Sequence, residues 1–272
     1  MASAAEVPEV GVPTAVGNGQ DGEIFMAPEN AVPEKQINEF MTRLKQAAGP
    51  NLESVTLYGS AVSGDYEADY SNVNLLVILK DTSLPKLLAL APAITDWTQL
   101  RHPAPLLITR AELERSADVF SIELVDMQRQ HRVLVGTDVI AGLQIPMHLH
   151  RAQLEYELRE KLILLRQRLV LDAGDDKRTW HLLLRSLSAF ATLFRHALIV
   201  HGQPVPSTKR ESIKALAAVL NFDATPFLTL LDIREHQVDA KQFRLRDIAA
   251  HYLAAVEQVT ADVDRMLDSP GR

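Results

Sequence analysis

Between residues 34 and 136 the apolar positions switch repeatedly between helical and extended spacing. Ile37, Phe40, Met41, Leu44 and Ala48 fall on one helical face, and Gly49-Pro50 stops that helix. Val55 to Tyr58 is a short β-favouring run. Val73 to Leu79 is nearly continuous Val, Leu and Ile, which predicts a strand covered on both faces. Residues 84–99 read as a helix broken or kinked at Pro92. Pro105 to Thr109 predicts a third strand, with its proline where a strand start tolerates one. Helix resumes near Ala111 and over residues 119–130, and an extended stretch at Arg132–Val135 closes at Gly136. Helices alternating with strands predict a small α/β domain.

From Arg151 onward the spacing is helical throughout. Leu154, Leu158, Leu162, Leu165 and Leu169 make one apolar stripe, ended by Gly174. Trp180, Leu184, Leu187, Phe190, Ala191, Phe194 and Leu198 make another, ended by Gly202 and Pro204. Thr208 with Glu211 fits a capping box, and Thr225-Pro226 fits a cap followed by proline at the first helical position. A last helix spans about Arg244 to Met266. Helices joined by short loops predict an antiparallel bundle. The expected class is α+β, a small α/β domain over residues 34–147 followed by a helical bundle over residues 148–272.

Composition narrows the class. The 272 residues are 47% hydrophobic and 23% charged, the balance of an ordinary globular protein. With no cysteine there is no disulfide scaffold, thiolate zinc site or cysteine nucleophile. No apolar run approaches the roughly 20 residues that cross a bilayer, so no membrane partner is expected. The first basic residue is Lys35, so a basic secretory start is missing and a reducing cytoplasm is the expected location. Six of the acids (Glu6, Glu9, Asp21, Glu23, Glu29 and Glu34) account for most of the net charge of −7. Residues 1–33 also hold four of the 14 prolines and four of the 12 glycines, which predicts a disordered acidic tail. The rest of the chain is close to neutral, so nucleic acid is not an expected partner.

The chemistry concentrates in Leu57-Tyr58-Gly59-Ser60-Ala61-Val62-Ser63-Gly64-Asp65 and Ser71-Asn72-Val73-Asn74-Leu75-Leu76-Val77-Ile78-Leu79. A strand leads into Gly-Ser and a short helical turn, and a second strand opens with small polar residues at alternate positions. Glycine lets a backbone approach a phosphate, and a serine hydroxyl can hold its oxygens. Alternate strand residues face one way, so Asn72 and Asn74 share a side. This layout resembles the nucleotidyltransferase superfamily that includes DNA polymerase beta, the aminoglycoside nucleotidyltransferases and the minimal nucleotidyltransferases. The resemblance covers about residues 36–145, and an α/β half followed by a bundle extends it loosely to the whole chain. It implies that Gly59, Ser60 and Ser71 bind a nucleoside triphosphate or another phosphate ligand.

The departure from the family pattern concerns charge. The resemblance places two aspartates, which bind magnesium, where this chain has Asn72 and Asn74. Magnesium favours anionic oxygen. A unit charge and a divalent ion about 4 Å apart attract by roughly 8 kcal/mol at an effective dielectric of ~20. Losing two such attractions removes most of the metal affinity and of the two-metal rate. A third carboxylate, implied on the next strand, is also missing from His102 to Thr109.

Other candidates carry less. Asp65, Glu67 and Asp69 are expected as solvated loop acids, and Glu123 with Asp126 as one face of a helix packed on the sheet. Arg195 and His201 have the loose spacing of the HEPN ribonuclease signature, which would use His201 as acid/base and Arg195 to hold phosphate. His148 and His150 are expected at the surface, and Arg185, Arg195 and Lys209 on solvated helix faces or in a cleft between the domains. Three functions compete: a catalytically impaired nucleotidyltransferase-fold protein binding a nucleotide or phosphate in a regulatory role; an active nucleotidyltransferase using magnesium to transfer a nucleoside monophosphate to a small-molecule or protein hydroxyl; and a non-catalytic interaction module.

Overall fold

A computed structural model describes residues 31–266. Most of the stretch read as an acidic tail lies outside the described residues; Val32, near its end, packs on the first core and leads into α1 (Glu34–Ala48). All five apolar positions that predicted α1 are buried. β1 (Leu52–Tyr58) runs into the short turn α2 (Ser60–Ser63), and β2 (Asn74–Leu79) returns antiparallel to it. After α3 (Leu84–Gln99), β3 (Leu106–Thr109) adds parallel to β2. Then α4 (Arg110–Arg115) and α5 (Ser121–Arg129) precede β4 (His131–Gly136), which pairs antiparallel with β1. The strand order is β3-β2-β1-β4.

The unbroken apolar run of β2 has a direct explanation, since its alternating side chains serve two cores. Leu75, Val77 and Leu79 pack with α1 and α3, whereas Leu76 and Ile78 pack with Leu113, Leu124, Met127 and Ile140 on the other face. α3 runs through Pro92 without the expected break. Pro92 and Leu88, whose carbonyl it leaves without an N–H partner, both face outward, where water can serve that carbonyl. The opposite face keeps Leu90, Ala93 and Trp97 buried.

The second half is a bundle of α6 (His150–Leu171), α7 (Asp176–Val200), α8 (Lys209–Leu220), α9 (Thr225–Arg234) and α10 (Leu245–Arg265). By length and composition α7 could cross a membrane; here its Leu183, Leu187, Phe190, Phe194 and Leu198 form the bundle core. Each such fully buried side chain is worth about 1.5–3 kcal/mol. An aromatic cluster locks α7, α9 and α10 together, with Phe227 stacked on Tyr252 at 4.4 Å and Phe194 5.0 Å from Phe227. Thr208 caps α8 as expected, accepting from the Glu211 amide at 3.2 Å. Thr225 does not cap α9: it is the first helical residue, and Asp223 accepts from its amide at 2.9 Å. Asp223 wins because its carboxylate is the stronger acceptor for an unpaired first-turn amide. Ile122 of α5 enters the bundle core, so the two halves share packing.

Candidate functional site

The turn after β1 is built around Gly59, whose φ of +78° suits glycine far better than any other residue. Tyr58 pairs with Asn74 across β1 and β2, so the next residue lies against the Asn74 side chain. A Cβ at position 59 would stand 3.0 Å from Asn74 Nδ2. The two halves of the motif are thus brought together. Asn74 is half-buried, and Asn72 lies exposed in the loop before β2. Ser71 serves the loop itself: its hydroxyl accepts from the Glu67 amide at 3.0 Å, and its own amide donates to the Glu67 carbonyl at 2.7 Å.

A cleft of about 410 Å³ opens beside Gly59 and Ser60, between the sheet half and the bundle. Tyr58, Ser63 and Asp65 line it from the first half, and Glu123, Asp126 and Arg129 from α5. Thr192 and Arg195 of α7, with Ser207 and Lys209 at the start of α8, close the other side. Asn72, Asn74 and Ser71 do not line this cavity. Of the expected ligand residues, Gly59 and Ser60 do.

The cations of the cleft are held in place by the protein. Lys209 is buried and donates to the Asp65 carbonyl at 3.2 Å; burial pulls its ammonium below the ordinary lysine range. Arg195 grips Asp126 with two donors, Nε at 3.1 Å and a shorter contact from its terminal nitrogen. Burial pushes the Asp126 carboxyl up, but His196 and Arg195 outweigh it and hold the group below the usual carboxylate range. Burial, with a smaller push from Glu123, raises the Tyr58 hydroxyl to about 12, so the phenol stays protonated.

Several expectations need correction. Glu67 is no solvated loop acid: it is buried and ion-paired with Arg234, itself fully buried, 4.5 Å from the Tyr70 ring and donating to Ser188 Oγ at 2.9 Å. This pair ties the motif's central loop to α9. A lone arginine ending the apolar run of α9 is the one sign of it in the sequence. His150 is not at the surface: only 2% of it is exposed, whereas His148 lies outside as expected. Burial follows because Ser121 and His196 satisfy its ring nitrogens. Arg195 and His201 do not share a site, since His201 pairs with Asp262 at 2.7 Å and Arg195 with Asp126. Arg185 is exposed and bonds to His181.

The asparagines do not suit the magnesium that the resemblance implies, and among the described residues no three His, Asp or Glu side chains gather where they could hold a metal ion. Asn74 offers one neutral carbonyl, and its amide nitrogen faces Gly59. The acid nearest to β3 in sequence, Glu112, accepts from the Thr109 amide and hydroxyl, both at 2.8 Å, as the cap of α4.

No protein-family model and no curated protein matches the sequence. The fold does match: spectinomycin adenyltransferase AAD(9) from Enterococcus faecialis, solved with ATP and spectinomycin, superimposes with a TM-score of 0.53 at 14% identity. The match covers 85% of this chain and 99% of that chain. A toxin-antitoxin structure with AMP-PNP aligns over 39% of this chain and 76% of that one, at 20% identity and a TM-score of 0.27. The AAD(9) likeness places this chain in the nucleotidyltransferase fold, with a helical C-terminal part.

Proposed function

We propose that the chain is a nucleotidyltransferase-fold protein that binds a nucleoside triphosphate or another phosphate ligand in the interdomain cleft and serves a regulatory role without efficient transfer. One observation carries this: the cleft beside Gly59 and Ser60 sets Lys209, Arg195 and Arg129 among Asp65, Glu123 and Asp126, while the positions that would hold metal bear amides. Side-chain cations would neutralise phosphate charge where relatives use divalent ions. Ser60 and the open backbone at Gly59 would meet the phosphate oxygens from the sheet side. AAD(9) was solved with ATP, which makes a triphosphate the first ligand to test.

A thermal-shift series with ATP and the other nucleoside triphosphates, each in magnesium and in EDTA, tests this. Stabilisation that persists in EDTA is expected, and a ligand at 100 times its Kd would add about 2.7 kcal/mol. Stabilisation that appears only with magnesium, accompanied by pyrophosphate release, would establish the active transferase instead. No shift with any nucleotide or polyphosphate would leave the interaction module. In the double variant Asn72→Asp, Asn74→Asp, a new magnesium-dependent shift is expected, because two carboxylates would then stand where the resemblance implies the metal-binding pair.

A further inference from the structure

A buried polar chain crosses from the sheet half into the bundle and ends on Asp126 in the wall of the cleft. Gln153 Oε1 and Ser121 Oγ are 2.8 Å apart, and Ser121 Oγ lies 2.8 Å from His150 Nδ1. His150 Nε2 meets His196 Nδ1 at 3.1 Å, and His196 Nε2 meets Asp126 Oδ1 at 3.1 Å. Ser121, His150 and His196 are all buried.

Protons can be counted along this chain. The Ile122 amide donates to Gln153 Oε1, and Gln153 Nε2 donates to the Glu123 carboxylate, so an oxygen of the Gln153 amide faces Ser121. An amide oxygen and a carboxylate only accept, so both ends of the chain are acceptors. The four hydrogen bonds between them require four protons, while one serine and two neutral imidazoles bring three. Starting at Gln153, Ser121 donates to the amide oxygen, His150 Nδ1–H to Ser121, and His196 Nδ1–H to His150 Nε2. His196 Nε2–H then donates to Asp126. With all four contacts closed, the ring that faces Asp126 holds both protons and shares that carboxylate with Arg195.

The charged and titratable groups around the pair are few. From α5 come Glu123 and Asp126, from α7 Arg195, and from α8 Lys209, which feels the charge of Arg195. Burial first, and then the neighbouring His196, drives His150 down to about 4, so a second excess proton is refused until the solution is strongly acid.

Asp126 and Arg195 also line the cleft. Resting on the cleft reading above, we propose that the His150–His196 pair is a proton-linked regulator of anion binding there. With His196 protonated, Asp126 is shared between two cations and Arg195 has charge to spare for a phosphate. When that proton leaves, three protons remain for four contacts, one contact opens, and Asp126 no longer has a second cation beside it. Anion affinity must then rise as protons bind, and anion binding must take up protons.

Calorimetric titration of the full chain with pyrophosphate in EDTA, from about pH 6 to about pH 8.5 and in buffers of different ionisation heat, tests this. The wild type is expected to lose roughly five- to tenfold in affinity with rising pH beyond the loss seen for His196→Gln, and to take up protons on binding. The titration of pyrophosphate itself is common to both proteins and cancels in the comparison. Equal pH slopes and equal proton uptake would overturn the regulator and leave the cleft intact. No binding at any pH would overturn both. If His196→Gln does not fold, the nitrogen NMR shifts of wild-type His196 decide. Two protonated nitrogens, with one proton lost over the same pH range that weakens binding, support the proposal, and a neutral ring throughout overturns it.

Discussion

At the scale of single residues, Gly59 shapes the turn beside the cleft, and Asn74 packs against it. Gly59→Ala combines a left-handed backbone, which costs about 1–2 kcal/mol for an L-residue, with a Cβ 3.0 Å from Asn74 Nδ2. A loss of about 1–3 kcal/mol in chemical denaturation is expected, together with loss of the triphosphate-induced thermal shift. Unchanged stability would mean that the turn adapts and Asn74 moves freely. The approach of Gly59 to Asn74 was legible in the sequence because the two stand at facing ends of neighbouring strands. What Ser71 does was not: a hydroxyl that closes its own loop on Glu67 looks the same in sequence as one aimed at a ligand.

At the scale of elements, the loop between β1 and β2 is clamped to α9 by the buried Glu67–Arg234 pair. Removing one partner strands the other charge, so Arg234→Met is expected to cost about 3–5 kcal/mol. In the double variant Glu67→Gln, Arg234→Met, much of that loss is expected to return, as read from a denaturation cycle. An additive cycle would show that the pair is not coupled. Helix and strand positions were legible wherever burial has a simple period, as in α1, β2 and α7. Of the break or kink expected at Pro92, the break does not occur, because a proline whose unmatched carbonyl faces water can be absorbed within a helix. The clamp was illegible because Glu67 and Arg234 are 167 residues apart and only tertiary packing joins them.

At the scale of the whole molecule, the sheet half and the bundle meet through Ile122, the Glu67 clamp and the histidine chain, and the cleft lies at that seam. The seam makes stability depend on acid. His150 sits at about 4 in the folded protein against an ordinary 6.5, so between those values the unfolded chain binds more protons. The contribution of neutral His150 is therefore complete above about pH 6.5 and lost as pH falls toward 4, about 3 kcal/mol at most. Wild type is expected to lose more stability than His150→Gln over that window, and parallel curves would contradict it. Asp126, held low, adds a further loss at still lower pH. The two-part architecture was legible from the change of period near residue 150, whereas the cleft depends on side chains drawn from α5, α7 and the start of α8. The most direct measurement is a crystal grown with manganese and a non-hydrolysable triphosphate, examined for anomalous scattering. Phosphates against Gly59, Ser60 and Lys209 with no manganese at Asn72 and Asn74 is the expected result; two well-occupied manganese ions at those asparagines would contradict it.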